Sequence, residues 1–243
     1  MFDFGGKVAL VTGAATGIGR AALLQLAAGG AAVIAVDCDE NGARAVAEEA
    51  LRLGAKAYHA AVDVSDEDSV KCTVGRFLEG CGQIDILVNN AGIWRTGHGP
   101  FAESCSSAWR KKIDVNILGT MYMTQAVLPS MIERKYGRIV NLSSVAGVYG
   151  NRNMVDYSMT KAAILGFTVA LAKELGEHGI TVNAVSPGNI NSEREYRNNT
   201  ELSFLGRSGS SEECANVITF LASDAASFVS GQNYLVDGCR KKM

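Results

Sequence analysis

Val8-Ala9-Leu10-Val11-Thr12-Gly13-Ala14-Ala15-Thr16-Gly17-Ile18-Gly19-Arg20 reads as a buried strand that runs into three glycines and then into a helix. Glycine permits the tight turn and lets the backbone approach a pyrophosphate, which the helix N-terminus attracts. A glycine triplet alone is a weak signal. Here an acid closes the next strand: Asp37 lies 18 residues after Gly19, near the ~20 expected of a dinucleotide site. Its carboxylate would accept hydrogen bonds from the two hydroxyls of an adenosine ribose. A 2′-phosphate there would meet like charge, about 4 kcal/mol at ~4 Å before screening, and half of that exceeds tenfold in affinity. No Lys or Arg occupies Ala14–Thr16 or the positions just after Asp37. NAD(H) is therefore expected over NADP(H). The competing reading makes Asp37 a strand-end turn residue beside the cap-type Asp39 and Asn41.

Outward from this turn, short β-branched runs alternate with helical patterns, the signature of a parallel sheet covered by helices. Lys7–Thr12, Ala31–Asp37, Ala55–Val62, Ile84–Asn89, Gly137–Ser143, Ile180–Ser186 and Asn233–Val236 supply seven strands. Three prolines and no Ser/Pro/Gly-rich linker leave residues 1–243 as a single domain. Segments 119–133 and 157–175 are apolar on more than one face, so each wants burial on both sides, in a core or against a second subunit.

The composition, 47% hydrophobic and 20% charged, is that of an ordinary globular chain. A net charge of -2, with no basic run before Arg240-Lys241-Lys242, argues against nucleic-acid partners. The start, Met1-Phe2-Asp3-Phe4, has no leader pattern. The longest apolar region, Ala21 to Val36, is broken by Gln25 and Gly29-Gly30, which excludes a bilayer span. Six scattered cysteines and three distant histidines lack metal-ligand spacing. No metal and no membrane partner are expected, and free thiols point to a reducing, cytoplasmic setting.

Tyr157-Ser158-Met159-Thr160-Lys161 sets a phenol and an ammonium one helical turn apart, on one face. A free tyrosine titrates near ~10, and an adjacent cation would lower that value. The pair suits proton transfer to or from an alcohol or ketone. Alone, such a spacing often only decorates a helix.

With these residues in view, the chain resembles the short-chain dehydrogenase/reductase family over nearly its whole length. Thr12 to Gly19 looks like that family's TGxxxGxG turn, with Gly13, Thr16, Gly17, Ile18 and Gly19 at the cofactor. Asp63 and Val64 match its adenine-contacting pair, and Asn89-Asn90-Ala91-Gly92 match NNAG, with Asn89, Ala91 and Gly92 as cofactor contacts. Asn116 matches the helix asparagine of the catalytic set. Ser144, in Asn141-Leu142-Ser143-Ser144, lies 13 residues before Tyr157, the family's spacing. Pro187, Gly188 and Ile190 match the segment that contacts nicotinamide. The resemblance implies a Rossmann-type α/β fold, a doubly wound parallel sheet of seven strands with helices on both faces. It also implies roles: Ser144 holds the substrate oxygen and Tyr157 moves the proton. Lys161 assists and binds the nicotinamide ribose, while Asn116 anchors a water behind Lys161.

Departures accompany the match. Ser192 stands where threonine is usual, its hydroxyl retained for the carboxamide. Cys239 follows Asp237-Gly238 where glycine is common, touching the tail more than the chemistry. The substrate lid, about 191–205, is short and charged. Trp94, Val145, Tyr149, Met154 and Tyr196 are candidate pocket residues beside Ser144 and Tyr157, or else structural aromatics and packing.

Three functions follow. The leading one is hydride transfer between NAD(H) and a secondary alcohol or ketone such as a hydroxysteroid, a polyol or another small hydroxy compound. The second is a 3-oxoacyl-carrier-protein-reductase-like enzyme. That type normally calls for NADPH and a basic patch, for which Arg134, Lys135 and Arg138 are candidates. The third is a non-catalytic dinucleotide sensor, disfavoured because Asn116, Ser144, Tyr157 and Lys161 are all present. A homo-oligomer, dimer or tetramer, is expected through segments 119–133 and 157–175.

Overall fold

The computed structural model describes residues 2–94, 99–191 and 203–241. Its strands are β1 (Val8–Thr12), β2 (Ala32–Asp37), β3 (Ala57–Ala61), β4 (Ile86–Asn89), β5 (Gly137–Leu142), β6 (Ile180–Pro187), β7 (Ile190–Asn191), β8 (Gly209–Ser210) and β9 (Asn233–Val236). Seven of them form one sheet in the order β3-β2-β1-β4-β5-β6-β9, with β7 and β8 paired separately. Every neighbouring pair is parallel. All residues of β1, β4, β5 and β6 are buried, as a parallel sheet covered on both faces requires. The seven runs expected from the sequence are the seven strands of this sheet.

Among the described residues, eight α-helices fill the connections: α1 (Gly17–Ala28), α2 (Glu40–Arg52), α3 (Glu67–Cys81), α4 (Ser106–Ile113), α5 (Gly119–Arg134), α6 (Val145–Tyr149), α7 (Val155–Leu175) and α8 (Ser211–Ala222). On one face, Leu23 and Leu26 of α1, Val46 of α2 and Ile218 and Leu221 of α8 pack with Ala9, Val11 and Val33. On the other, Val74 of α3, Met123, Val127 and Met131 of α5 and Leu175 of α7 pack with Leu10, Ile34 and Leu87. Each Val, Leu, Ile or Met among these contributes about 1.5–3 kcal/mol by leaving water. The outer side of α5 and α7 keeps Met121, Val155, Met159 and Val169 exposed in the single chain. Among the described residues, no helix is long and apolar enough to cross a membrane.

Strand β4 starts later than its apolar run, because Asp85 is used otherwise. Its carboxylate accepts the Val8 N–H at 2.8 Å and pairs with Arg134. Arg138 is buried and pairs with Asp224 at 3.0 Å. The basic patch drawn from the sequence is thus largely internal ion pairing. Arg134, Lys135 and Arg138 also sit around the start of β5, an interior strand, at the opposite end of the sheet from the strand ends that matter below.

Between α4 and α5 the chain makes one π-helical turn, Asp114–Leu118. Periodicity did not reveal it, since one extra residue per turn barely disturbs an apolar pattern. The strand order reverses between β1 and β4, so the carboxyl ends of these two strands leave a crevice.

Candidate active site

A cavity of about 800 Å³ opens at that crevice, running from Gly13, Thr16, Gly17 and Ile18 to Ser144, Tyr157 and Lys161. Gly13 and Gly17 adopt φ of 62° and 57°, the left-handed region that glycine enters without a steric penalty. A Cβ on Gly13 would come within 2.8 Å of Asn90 Nδ2, and one on Gly19 would overlap the Gly13 carbonyl oxygen. Asn90 Nδ2 donates to the carbonyls of Thr12 (3.0 Å) and Gly13 (2.9 Å). Thr12 Oγ1 accepts from the N–H groups of Asn90 and Ala91 at 3.1 and 3.0 Å. The end of β4 therefore shapes the turn after β1. Thr16 gives α1 no side-chain cap, which leaves first-turn N–H groups for an anion at the cavity wall. Room, bare backbone and uncapped helix together fit a dinucleotide diphosphate.

Asp37 lines the same cavity. Its Oδ2 accepts from Ala15 N–H at 2.9 Å and its Oδ1 from Asp39 N–H at 3.0 Å. It is a turn residue and a wall residue at once. Asp63 also lines the cavity, and hydrogen bonds from the Ser65 hydroxyl and N–H hold its carboxyl below the usual range. Val64 lies beside it because Gly119 has no side chain: a Cβ there would stand 2.6 Å from Val64 Cγ2.

At the other end, Ser144 caps α6, its Oγ accepting from Ala146 N–H at 3.1 Å. Ser143 Oγ donates to the Lys161 carbonyl at 2.7 Å, fastening the end of β5 to α7. Here one expectation is overturned. Lys161 was to lower the Tyr157 pKa, yet burial raises it, with a hydrogen bond between Tyr157 and Ser144 opposing the rise. Lys161 Nζ stands 5.9 Å from the Tyr157 ring centroid and donates instead to the Leu142 carbonyl at 2.7 Å. Burial lowers the lysine's own pKa to about 8. Desolvation is the main cause of the phenol's rise, and the hydrogen bond with Ser144, rather than the lysine, is what opposes it.

Asn116 sits in the π-helical turn, 1% exposed. Its Oδ1 accepts from Ile93 N–H at 2.8 Å, and its Nδ2 donates to the Ile93 carbonyl and to Thr160 Oγ1, each at 3.1 Å. It is the helix-bend residue that satisfies stray backbone groups. A Cβ placed on Gly92 would lie 3.2 Å from Asn116 Oδ1 and 3.3 Å from Lys161 Nζ, so the three groups share one corner.

Ala91, Gly92, Pro187, Gly188, Ile190, Trp94, Val145 and Met154 line the cavity as expected. Asn89 does not. It is buried between β4 and β5, donating to Thr124 Oγ1 and Asn141 Oδ1 at 2.9 Å each. A strand residue's neighbour points the opposite way, and that neighbour, Asn90, is the one at the cavity. Gly19 supports the turn from behind. Tyr149 is 41% exposed at the end of α6 and is not on the cavity wall. Ser192 and Tyr196 fall outside the described residues. The sequence reading missed Asn90, Lys111 and Arg240 on the wall. The doubled asparagine was the signal for the first. Arg240 had none, since only the fold brings the tail to the cavity, where its guanidinium reaches Asn151 Oδ1 at 3.4 Å.

Known proteins place this geometry. Residues 7–202 match the family model described as short chain dehydrogenase. Relatives bearing the name 3-oxoacyl-(acyl-carrier-protein) reductase FabG include one from Thermotoga maritima, 43% identical over 96% of this chain and 97% of the relative. Another, from Escherichia coli, is 37% identical over 97% and 98%. The crystal structure of levodione reductase superposes with a TM-score of 0.89 at 32% identity, covering 97% of each chain. With the glycine turn, the serine, the tyrosine and the lysine brought to one cavity, the chain belongs to the short-chain dehydrogenase family.

Proposed function

We propose that the protein reduces a ketone of the 3-oxoacyl type to the secondary alcohol, with NADH as the hydride source. The observation that carries this is the convergence of Ser144, Tyr157 and Lys161 on a cavity whose far end presents Asp37. The 3-oxoacyl class draws its support from relatives named for that activity, 37–43% identical over nearly their full length. This reverses the order drawn from sequence alone, which put hydroxysteroids and polyols first.

When bound, the dinucleotide supplies hydride from its nicotinamide ring. Gly13 to Gly19 would hold its diphosphate, Asp37 its adenosine ribose, and Pro187 to Ile190 its nicotinamide end. The protein's own residues handle the proton. The Tyr157 phenol, its pKa raised by burial, stands where it can act as the acid that protonates the substrate oxygen. As negative charge grows on the substrate oxygen, Ser144 hydrogen-bonds it and Tyr157 hands over its proton. Lys161, charged at neutral pH with a pKa of about 8, stabilises the phenolate left behind. NADH over NADPH rests on Asp37 and Asp63, two carboxylates on one wall. In solution the chain pairs through the exposed apolar faces of α5 and α7. A second reading, a dione in place of an acyl thioester, is favoured by the likeness to levodione reductase and by Trp94 and Met154 on the wall.

Initial rates with NADH and NADPH test this against acetoacetyl thioesters of N-acetylcysteamine and of a carrier protein, and against cyclic diones. Thioester reduction is expected, with kcat/KM at least about tenfold higher for NADH. Tyr157→Phe should lower kcat by about 10²–10⁴ and leave NADH affinity within about threefold. Reduction of diones alone would replace the first reading by the second. Full activity in Tyr157→Phe would overturn the acid assignment.

A further inference from the structure

We infer that the buried Lys112–Asp156 ion pair is a positioning device that holds Tyr157 and Asn116 in register. The inference rests on the reduction chemistry proposed above. Lys112 Nζ meets Asp156 Oδ2 at 2.5 Å, with side-chain exposures of 0% and 7%. The second carboxylate oxygen, Oδ1, accepts the N–H of Tyr157 at 2.7 Å. One carboxylate thus grips the first turn of α7 with one oxygen and the last turn of α4 with the other. Lys112 lies four residues before Asn116, and Asp156 immediately before Tyr157. A second tie joins the same two segments, since Asn116 Nδ2 donates to Thr160 Oγ1, which donates to the Tyr157 carbonyl at 2.9 Å.

Stability does not account for the pair. Taking two charges out of water costs several kcal/mol per ion, and apolar residues of similar volume commonly do as well or better. An apolar contact tolerates sliding, whereas this pair has one satisfactory geometry. The two helix ends add to that selectivity: Lys112 stands at the negative end of α4 and Asp156 at the positive end of α7. What the pair supplies is a fixed distance and direction between the bend that carries Asn116 and the helix that carries Tyr157. A shift of about 1 Å in such a group costs on the order of 10²-fold in rate.

The test is the double variant Lys112→Met with Asp156→Asn, which removes both charges at nearly constant volume. With a ketone that the wild type reduces, kcat should fall by about 10–10², while KM and NADH affinity stay within about threefold. A general loss of structure would move all three. Amide hydrogen exchange needs no substrate. It should show loss of protection confined to residues 155–161 and 112–118, with β5 and β6 unchanged. If no ketone is turned over by the wild type, the proposed function fails while exchange still judges the pair. Should the double variant not fold, Lys112→Gln with Asp156→Asn serves, because it also removes both charges but leaves a neutral amide pair in their place. A kcat within twofold of wild type, or unchanged exchange in both segments, overturns the inference.

Discussion

At the scale of single residues, the site works by where charge is kept out of water. Lys161 is fully buried with a pKa of about 8, against ~10.4 for a free lysine. The gap corresponds to about 3 kcal/mol spent at neutral pH to keep the ammonium charged inside the protein. Lys161→Met should therefore raise stability at pH 7 by about 1–3 kcal/mol, read by urea unfolding, while abolishing reduction. Between pH 8 and ~10.4 the unfolded chain holds more protons than the folded one, so wild-type stability climbs through that window. The advantage of Lys161→Met should shrink as it does. A gap that does not change with pH would contradict the burial argument. Asp37 lends itself to an equally direct experiment. Asp37→Ser should lower the NADH preference about tenfold or more, as the ratio of kcat/KM for NADH and NADPH. No change in that ratio would remove Asp37 from cofactor choice.

At the scale of elements, the glycine turn is stiff because two strands build it. Gly19→Ala drives a Cβ into the Gly13 carbonyl oxygen, and overpacking of that kind costs about 1–3 kcal/mol. NADH affinity measured by fluorescence should fall about tenfold or more, with the far-ultraviolet circular dichroism unchanged; wild-type affinity would show that the turn has slack. The turn, its strand and the following acid were readable from the sequence, because each depends on neighbours within about twenty positions. So were the seven strands, whose apolar runs are continuous where both faces are covered. The π-helical turn at Asp114–Leu118 was not, since its cause is tertiary: Asn116 bends to meet Ile93 and Thr160. The doubled asparagine signalled that one of Asn89 and Asn90 meets the cavity, but which one showed only once their partners on either side of β4 were known. Tyr149 looked like a pocket residue by its distance from Ser144, but α6 ends with it facing outward. The phenol's pKa failed for a related reason, because spacing reveals a neighbouring cation and says nothing of burial.

At the scale of the whole molecule, two observations bear on assembly. Met121, Val155, Met159 and Val169 are each more than 40% exposed on α5 and α7, and Tyr157 lies on α7 as well. Light scattering at micromolar concentration should give twice the chain mass or a higher multiple. Replacing Met159 and Val169 together by lysine should return it to the monomer. A wild-type monomer would leave those faces without a role. The other observation concerns Asn90. Its amide, delivered from the middle of the chain, braces the carbonyls of Thr12 and Gly13 near the start. The glycine turn is consequently no self-sufficient module: a fragment severed near residue 82 should fold poorly and hold NADH weakly, and supplying the remainder in trans should restore its grip.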